Sequence, residues 1–235
     1  MDQFDITKNI YSTKSATISL PNKLLPSTCF YLNFIRIVFS SANLAKKNKY
    51  DEKAWETSSI DVRDKLEQAG LNIDFSGLDH FRNLDGPCVV IGNHMSMMET
   101  LLLPGFLLPF RPITFVVKES LLNYPVFKYV MRSSNPIAVT RSNPRQDLKT
   151  VMNQGVERIG EGKSVIVFPQ TTRVHSFDPK QMSSIGVKLA KKAGVPVLPL
   201  ALKTDSWNNG RILKDFGKID INQKAHFAFS SPLHI

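Results

Sequence analysis

Cysteine is almost absent from this chain, with Cys29 and Cys88 the only two among 235 residues. Both lie in apolar surroundings, so they read as small buried hydrophobes rather than a disulfide framework, and a reducing compartment is expected. Long apolar runs are missing as well. No stretch reaches the ~18 consecutive residues that a membrane-spanning helix requires. Acidic residues are in deficit, 20 Asp and Glu against 30 Lys and Arg, which leaves a net charge of +10. That excess favours an anionic partner: a phosphorylated substrate, lipid headgroups or nucleic acid. Paired Cys/His fingers and an aromatic RNP stretch are both lacking, so no nucleic-acid partner is expected and phosphate or a membrane surface remains. The N-terminus has no basic start followed by an apolar core and a small-residue cleavage site, which predicts a protein that stays on the cytoplasmic side.

Two familiar catalytic signatures fail on inspection. Gly160-Glu161-Gly162-Lys163-Ser164 has the look of a phosphate-binding loop, but its first glycine would fall at Glu157, and the segment leads into a strand instead of linking a strand to a helix. No Gly-x-Ser-x-Gly elbow exists, so no serine nucleophile has its usual setting. His175, His226 and His234 show no ligand spacing. No metal and no resident cofactor are therefore expected.

What the chain does have is a stretch from Cys88 to Phe110, CVVIGNHMSMMETLLLPGFLLPF. Cys88-Val89-Val90-Ile91 is short enough for a buried strand, Gly92-Asn93 breaks it, and a helix follows from Met97 until Pro104-Gly105 disturbs it. His94 falls in the turn and Glu99 five positions on. Residues five apart do not share a helix face, so the two meet only if His94 precedes the helix and Glu99 lies one turn inside it. A lone His beside a Glu is most often a capping pair. In this setting it is also what a general base needs: an imidazole, which titrates near neutral pH, with a carboxylate fixing its tautomer.

In chain order, residues 1–22 are polar and read as a loose lead-in, with Pro21 and Pro26 delaying any helix. The next helix, whose apolar part is 30–45, has a narrow polar stripe running on to Lys47 (Asn33, Arg36, Ser40, Asn43, Lys47), and Phe30, Phe34, Ile35, Val38 and Phe39 are its expected membrane-associating residues. It would extend only about 24 Å, short of the ~30 Å hydrocarbon core, so it is expected to lie in the membrane interface or to pack under another element. A second helix from Asp51 to Ala69 ends at Gly70. Beyond it, strand signals (113–117, 136–140, 164–168, 195–201, 225–229) alternate with helices at 144–160 and 183–193. Alternation of this kind predicts an α/β fold, an αβα sandwich on a largely parallel mixed sheet, preceded by an amphipathic helical element. The length suits one sizeable core. The expected division is a lead-in and membrane-associating element over 1–70 and a catalytic domain over 71–235.

Lys118, Arg141 and Arg173 each follow an apolar run that reads as a strand, Arg173 after a short turn. Ligands in open α/β sheets gather at the carboxyl ends of the strands. Three basic residues converging there beside a histidine would make a phosphate-binding cleft with a base.

These blocks resemble the glycerolipid acyltransferases, the 1-acylglycerol-3-phosphate acyltransferase family. Asn93-His94 with an acid beyond it resembles the signature block, although most members carry Asp where this chain has Glu99. The segment Lys118-Glu119-Ser120-Leu121 with Pro125-Val126-Phe127, then Pro136 to Arg141, then Phe168-Pro169-Gln170-Thr171-Thr172-Arg173, then Val195 to Leu200, follow in the family's order across residues 77–205. Gln170 and Thr171 depart from the usual Glu-Gly of the third block, which puts the acceptor in question more than the reaction. Glu99 is similar to the acid of the late acyltransferases of lipid A synthesis.

The resemblance implies a membrane-associated acyltransferase on the cytoplasmic face. His94 would deprotonate a lysophospholipid hydroxyl with Glu99 holding its ring. Acyl-CoA or acyl carrier protein would be co-substrate, and donors near the turn would stabilise the oxyanion. Arg141, Arg173 and Lys118 would bind the acceptor's phosphate, and Gln170 would tune acceptor choice. The alternatives are a lipid A-type or aminolipid acceptor, or a non-catalytic lipid-binding protein of the same fold.

Overall fold

The computed structural model describes residues 9–14, 18–170, 172–174, 176, 178–210 and 214–235. Among the described residues eight strands form one sheet: β1 (Ile10–Ser12), β2 (Ile73–Ser76), β3 (Val89–Gly92), β4 (Ile113–Lys118), β5 (Ile137–Val139), β6 (Ser164–Val167), β7 (Val197–Lys203) and β8 (Ala225–Phe229). Their order across the sheet is β1-β2-β8-β7-β3-β6-β4-β5. The run β7-β3-β6-β4-β5 is parallel throughout, as is β2 with β8, while β1 with β2 and β7 with β8 are antiparallel. The helices are α1 (Leu20–Leu24), α2 (Pro26–Lys46), α3 (Glu52–Gln68), α4 (Leu78–Arg82), α5 (Met98–Leu107), α6 (Phe127–Ser133), α7 (Pro144–Gly160) and α8 (Ile185–Ala193).

Apolar side chains leave the sheet on both faces, as central parallel strands require. One face packs on α3 and α5 through Val90, Ile166, Leu198, Leu102 and Leu66. The other packs on α7 and α8 through Val89, Val165, Val167, Val151 and Leu189. This is the expected αβα sandwich.

Three local expectations change. The lead-in is not loose throughout. Strand β1 pairs Tyr11 with Phe75 on the sheet edge, and Tyr11 and Thr13 hydroxyls both donate to Glu67 of α3 at 2.6 Å. Helix α5 does not yield at Pro104. Proline removes a helical donor and crowds the preceding turn, and the Ser59 hydroxyl of α3 fills the gap. It accepts from Gly105 N at 2.8 Å and donates to Leu101 O at 2.5 Å. A β-carbon at residue 105 would sit 2.9 Å from that hydroxyl, so only glycine lets α3 come this close.

The third change concerns α2. It begins at Pro26, which occupies the first turn where a missing N–H is harmless. Of the five residues expected to face a membrane, Phe30 and Phe34 instead turn inward, 1% and 3% exposed. They pack on Trp207 with ring centroids 4.9 and 5.7 Å away. Val38 is half-buried, and only Ile35 and Phe39 are exposed, at 44% and 52%. The apolar residues of α2 are thus divided between the body and the surface. Among the described residues, Leu20, Leu24, Leu25, Leu32, Ile35 and Phe39 make an exposed apolar strip along α1, α2 and the residue between them. No helix among the described residues is long and apolar enough to cross a membrane.

Candidate active site

The carboxyl ends of four adjacent parallel strands converge on one edge of the sheet. His94 follows β3, Arg173 follows β6, Lys118 ends β4 and Arg141 follows β5. The chain leaves β3 through Asn93, whose side-chain amide copies a backbone unit. Its Nδ2 donates to Leu202 O, and its Oδ1 accepts from Leu202 N, both at 2.8 Å. Thus Asn93 stays pinned to β7 while His94 is free to enter the turn.

Glu99, in the first turn of α5, is fully buried and accepts at both oxygens. Its Oε1 lies 3.1 Å from His94 Nδ1 and accepts from the amides of Met95 (2.6 Å) and Ser96 (2.9 Å). Its Oε2 accepts from the hydroxyls of Ser96 (2.8 Å) and Thr204 (2.9 Å). Burial by itself opposes this charge. The hydrogen bond and charge of His94, with the Ser96 and Met95 amides, outweigh burial and hold the carboxyl below its ordinary range. With Nδ1 committed to Glu99, Nε2 is the nitrogen left for chemistry.

The third block clamps His94 from the other side. Gln170, 3% exposed, accepts the His94 backbone N–H on Oε1 at 2.6 Å, and Val174 N donates to His94 O at 3.1 Å. The imidazole lies flat on Phe168, ring centroids 4.6 Å apart and 9° from parallel. Pro169 is buried, its carbonyl accepting from Ser183 N at 3.3 Å. Thr172 is exposed, in contact with Lys214 Nζ at 2.8 Å. Thr171 lies outside the described residues. The Gln170 amide oxygen thus holds the turn that carries His94. The amides of His94, Met95 and Ser96 are already engaged by Gln170 and Glu99.

The basic residues are brought to the edge unequally. Arg173 is paired with Asp215 at 2.5 Å through Nη2 and with Asn209 at 3.3 Å through Nη1. Arg141 sits in the left-handed region at φ 64°, on a turn pinned by buried Asp147 of α7. Asp147 accepts from the amides of Thr140 (2.8 Å) and Arg141 (2.7 Å). Partial desolvation first, and then the Arg173 charge, lower the pKa of the Arg141 guanidinium, which is exposed and, unlike Arg173, lies outside the lining of the cavity beside His94. Lys118 is exposed at the end of β4 and lies outside the lining of the cavity beside His94.

That cavity, about 280 Å³, runs between the strand edge and the N-terminal helices. His94, Arg173 and Asp215 line its polar side, and Leu101, Phe115, Val117, Met131, Trp55 and Val38 are among its apolar walls. Ile35 and Phe39 of the exposed strip also border it. A flexible apolar chain beside a charged group fits such a space.

A family model described as Acyltransferase matches residues 72–203, more than half of the chain. The chain belongs to the acyltransferase family. This family member is 38% identical over 133 residues to the 1-acyl-sn-glycerol-3-phosphate acyltransferase of Pseudomonas aeruginosa, covering 57% of this chain and 50% of the relative. It is 30% identical over 141 residues to a probable 1-acyl-sn-glycerol-3-phosphate acyltransferase of Mycoplasma genitalium, covering 59% and 48%. The match thus spans about half the length of these curated relatives. In structure it resembles the 1-acyl-sn-glycerophosphate acyltransferase PlsC of Thermotoga maritima, with a TM-score of 0.64 over 90% of this chain and 85% of the other at 22% identity. That likeness concerns the fold.

Thr204, Asn209 and Asp215 were missed from sequence. Single polar residues in a loop past the last matched strand carry no spacing that would mark them.

Proposed function

We propose that this chain is a membrane-associated O-acyltransferase. It would move a fatty acyl group from a thioester, acyl-CoA or acyl carrier protein, to the hydroxyl of a 1-acylglycerol-3-phosphate-like acceptor at the cytoplasmic face. The observation that carries this reading is His94, held by buried Glu99, at the mouth of an apolar cavity that Arg173 also lines. The relatives from Pseudomonas aeruginosa and Mycoplasma genitalium, a 1-acyl-sn-glycerol-3-phosphate acyltransferase and a probable one, agree with it.

In the proposed reaction, His94 Nε2 takes the proton of the acceptor hydroxyl while Glu99 stabilises the imidazolium. The oxygen attacks the thioester carbonyl carbon and forms the new C–O bond. Collapse of the tetrahedral intermediate breaks the C–S bond. The leaving thiolate takes the proton back from His94, so an ester and a free thiol result, with no acyl-enzyme. Arg173 and Arg141 hold the acceptor phosphate, with Lys118 adding charge at the rim.

Purified protein incubated with acyl-CoA or acyl carrier protein and a set of lysolipids, with products read by mass, tests the reaction. Arg173→Ala and Arg141→Ala are each expected to raise the acceptor KM roughly ten- to a hundredfold, at about 1.5–3 kcal/mol per charge-assisted contact. The donor KM should change far less. Equal rises in both would sink the phosphate role.

Membrane attachment is assigned to the exposed strip of α1 and α2. Exposed Lys47 and Lys49 at its end add attraction to anionic lipid. Ile35→Asp with Phe39→Asp should move the protein out of the pellet on sedimentation with anionic liposomes and leave its melting temperature nearly unchanged. Undiminished pelleting would place the contact elsewhere. Phe34→Asp is unsuited to this test because it buries a charge against Trp207.

A further inference from the structure

The residues after β7 reach the site from beyond the family match, which ends at residue 203. Two limbs, 204–210 and 214–220, run antiparallel. Asp220 N donates to Ser206 O at 2.8 Å, Asn208 N to Lys218 O at 3.0 Å and Gly210 N to Lys214 O at 3.1 Å. Trp207 bridges to Ile219, and its indole N–H donates to Asp215 O at 3.2 Å. The limbs touch so closely at Gly217 that a β-carbon there would lie 1.8 Å from the Asn208 carbonyl oxygen.

Three side chains of this hairpin each hold a different part of the site. The Thr204 hydroxyl donates to Glu99 Oε2 at 2.9 Å. Asn209 Nδ2 donates to Met95 O at 3.2 Å, in the turn beside His94, and its Oδ1 accepts from Arg173 Nη1 at 3.3 Å. Asp215 accepts from Arg173 Nη2. The opposite side of the hairpin stands on α2. Trp207, 1% exposed, packs among Phe30, Tyr31 and Phe34. The Tyr31 hydroxyl donates to Gly217 O at 2.5 Å, and Ser27 Oγ accepts from Ile219 N at 3.0 Å.

We infer that this hairpin is a positioning strap for the active site: Thr204 fixes the acid, Asn209 fixes the turn, and Asn209 with Asp215 aim Arg173 at the acceptor. The inference rests on the proposed roles of Glu99 and Arg173. A guanidinium carries five donors, so two holds leave others for a phosphate. An arginine side chain loses substantial rotamer freedom when it is immobilised. With two nitrogens held on folding, less of that loss remains for binding, and the acceptor is gripped more tightly. The strap also ties Arg173 mechanically to α2, the helix that carries the exposed apolar strip.

The test uses the full chain with Asp215→Ala, Thr204→Val and Thr204→Ser. Asp215→Ala should raise the acceptor KM about five- to tenfold, as loss of roughly one hydrogen bond implies, with donor KM and kcat within about twofold. Thr204→Val keeps the shape and loses the donor. It should lower kcat about five- to tenfold with little change in either KM, and Thr204→Ser should restore most of it. A lower acceptor KM in Asp215→Ala would mean that Asp215 competes with the phosphate, which overturns the positioning role. So would wild-type kcat in Thr204→Val, or no rescue by serine.

A readout independent of turnover separates failure of the strap from failure of the proposed function. The guanidinium N–H signals of Arg173 in nitrogen-15 NMR, assigned by their loss in Arg173→Lys, should be sharp and slowly exchanging in the wild type and lost in Asp215→Ala. Persistence of these signals in the variant overturns the strap. If the wild type transfers no acyl group to any lysolipid, the functional reading fails, and the NMR comparison still decides the strap.

Discussion

Replacing His94 by alanine is expected to lower turnover by about 10²–10⁴, the span of a positioned general base. Steady-state rates with saturating donor and acceptor measure it, and wild-type rates in the variant would remove His94 from the mechanism. Glu99→Gln should also be strongly impaired. The carboxylate accepts from two backbone amides and two hydroxyls besides facing Nδ1. An amide keeps one oxygen for the backbone donors but has no charge to offset an imidazolium. Glu99→Asp keeps the charge with a shorter reach and should retain part of the activity.

Stability should follow the same group. The Glu99 carboxyl is held below its ordinary range in the folded protein, so unfolding raises its affinity for protons. Its contribution is therefore fully present above the unfolded carboxyl value of ~4.3 and is lost as pH falls through the lower folded value. Melting temperatures measured downward from pH 5 should fall more steeply in the wild type than in Glu99→Gln. Parallel curves would show that the carboxyl is not held down.

Trp207→Ala is expected to cost about 3–5 kcal/mol of folding stability, the range for deleting a large buried aromatic side chain. The indole is packed edge-on against three rings of α2, and its N–H closes the strap onto Asp215. Denaturant unfolding followed by circular dichroism measures the loss. Where folding survives, the acceptor KM should rise along with it, because the loosened strap no longer holds Arg173. A cost under ~1 kcal/mol would show that α2 and the strap are only weakly joined.

Much of the site was readable because its residues sit next to regular elements. The run Cys88 to Ile91 ends in a turn that must set His94 before a helix and Glu99 inside it, and the chain folds that way. Lys118, Arg141 and Arg173 each close a strand-like run, and parallel strands deliver their carboxyl ends to one edge whatever their order. What periodicity does not encode is the direction of a side chain that two neighbours compete for. Gln170 stands in the third block, yet no spacing encodes that its Oε1 accepts from the His94 amide. On α2, nearly every position off the polar stripe is apolar, and hydropathy cannot say which of those residues meets Trp207, 177 positions after Phe30.

Local pattern thus determined the alternating strands and helices, the histidine with its acid, and the basic strand ends. Only the tertiary structure decided that Phe30 and Phe34 belong to the core, that Ser59 repairs α5 behind Pro104, and that Thr204, Asn209 and Asp215 reach the site. The physical reason is the same in each case. Backbone periodicity is set by neighbours within one or two turns. The partner of a buried ring or an orphaned polar atom is set by whichever distant segment packing brings within ~3–4 Å.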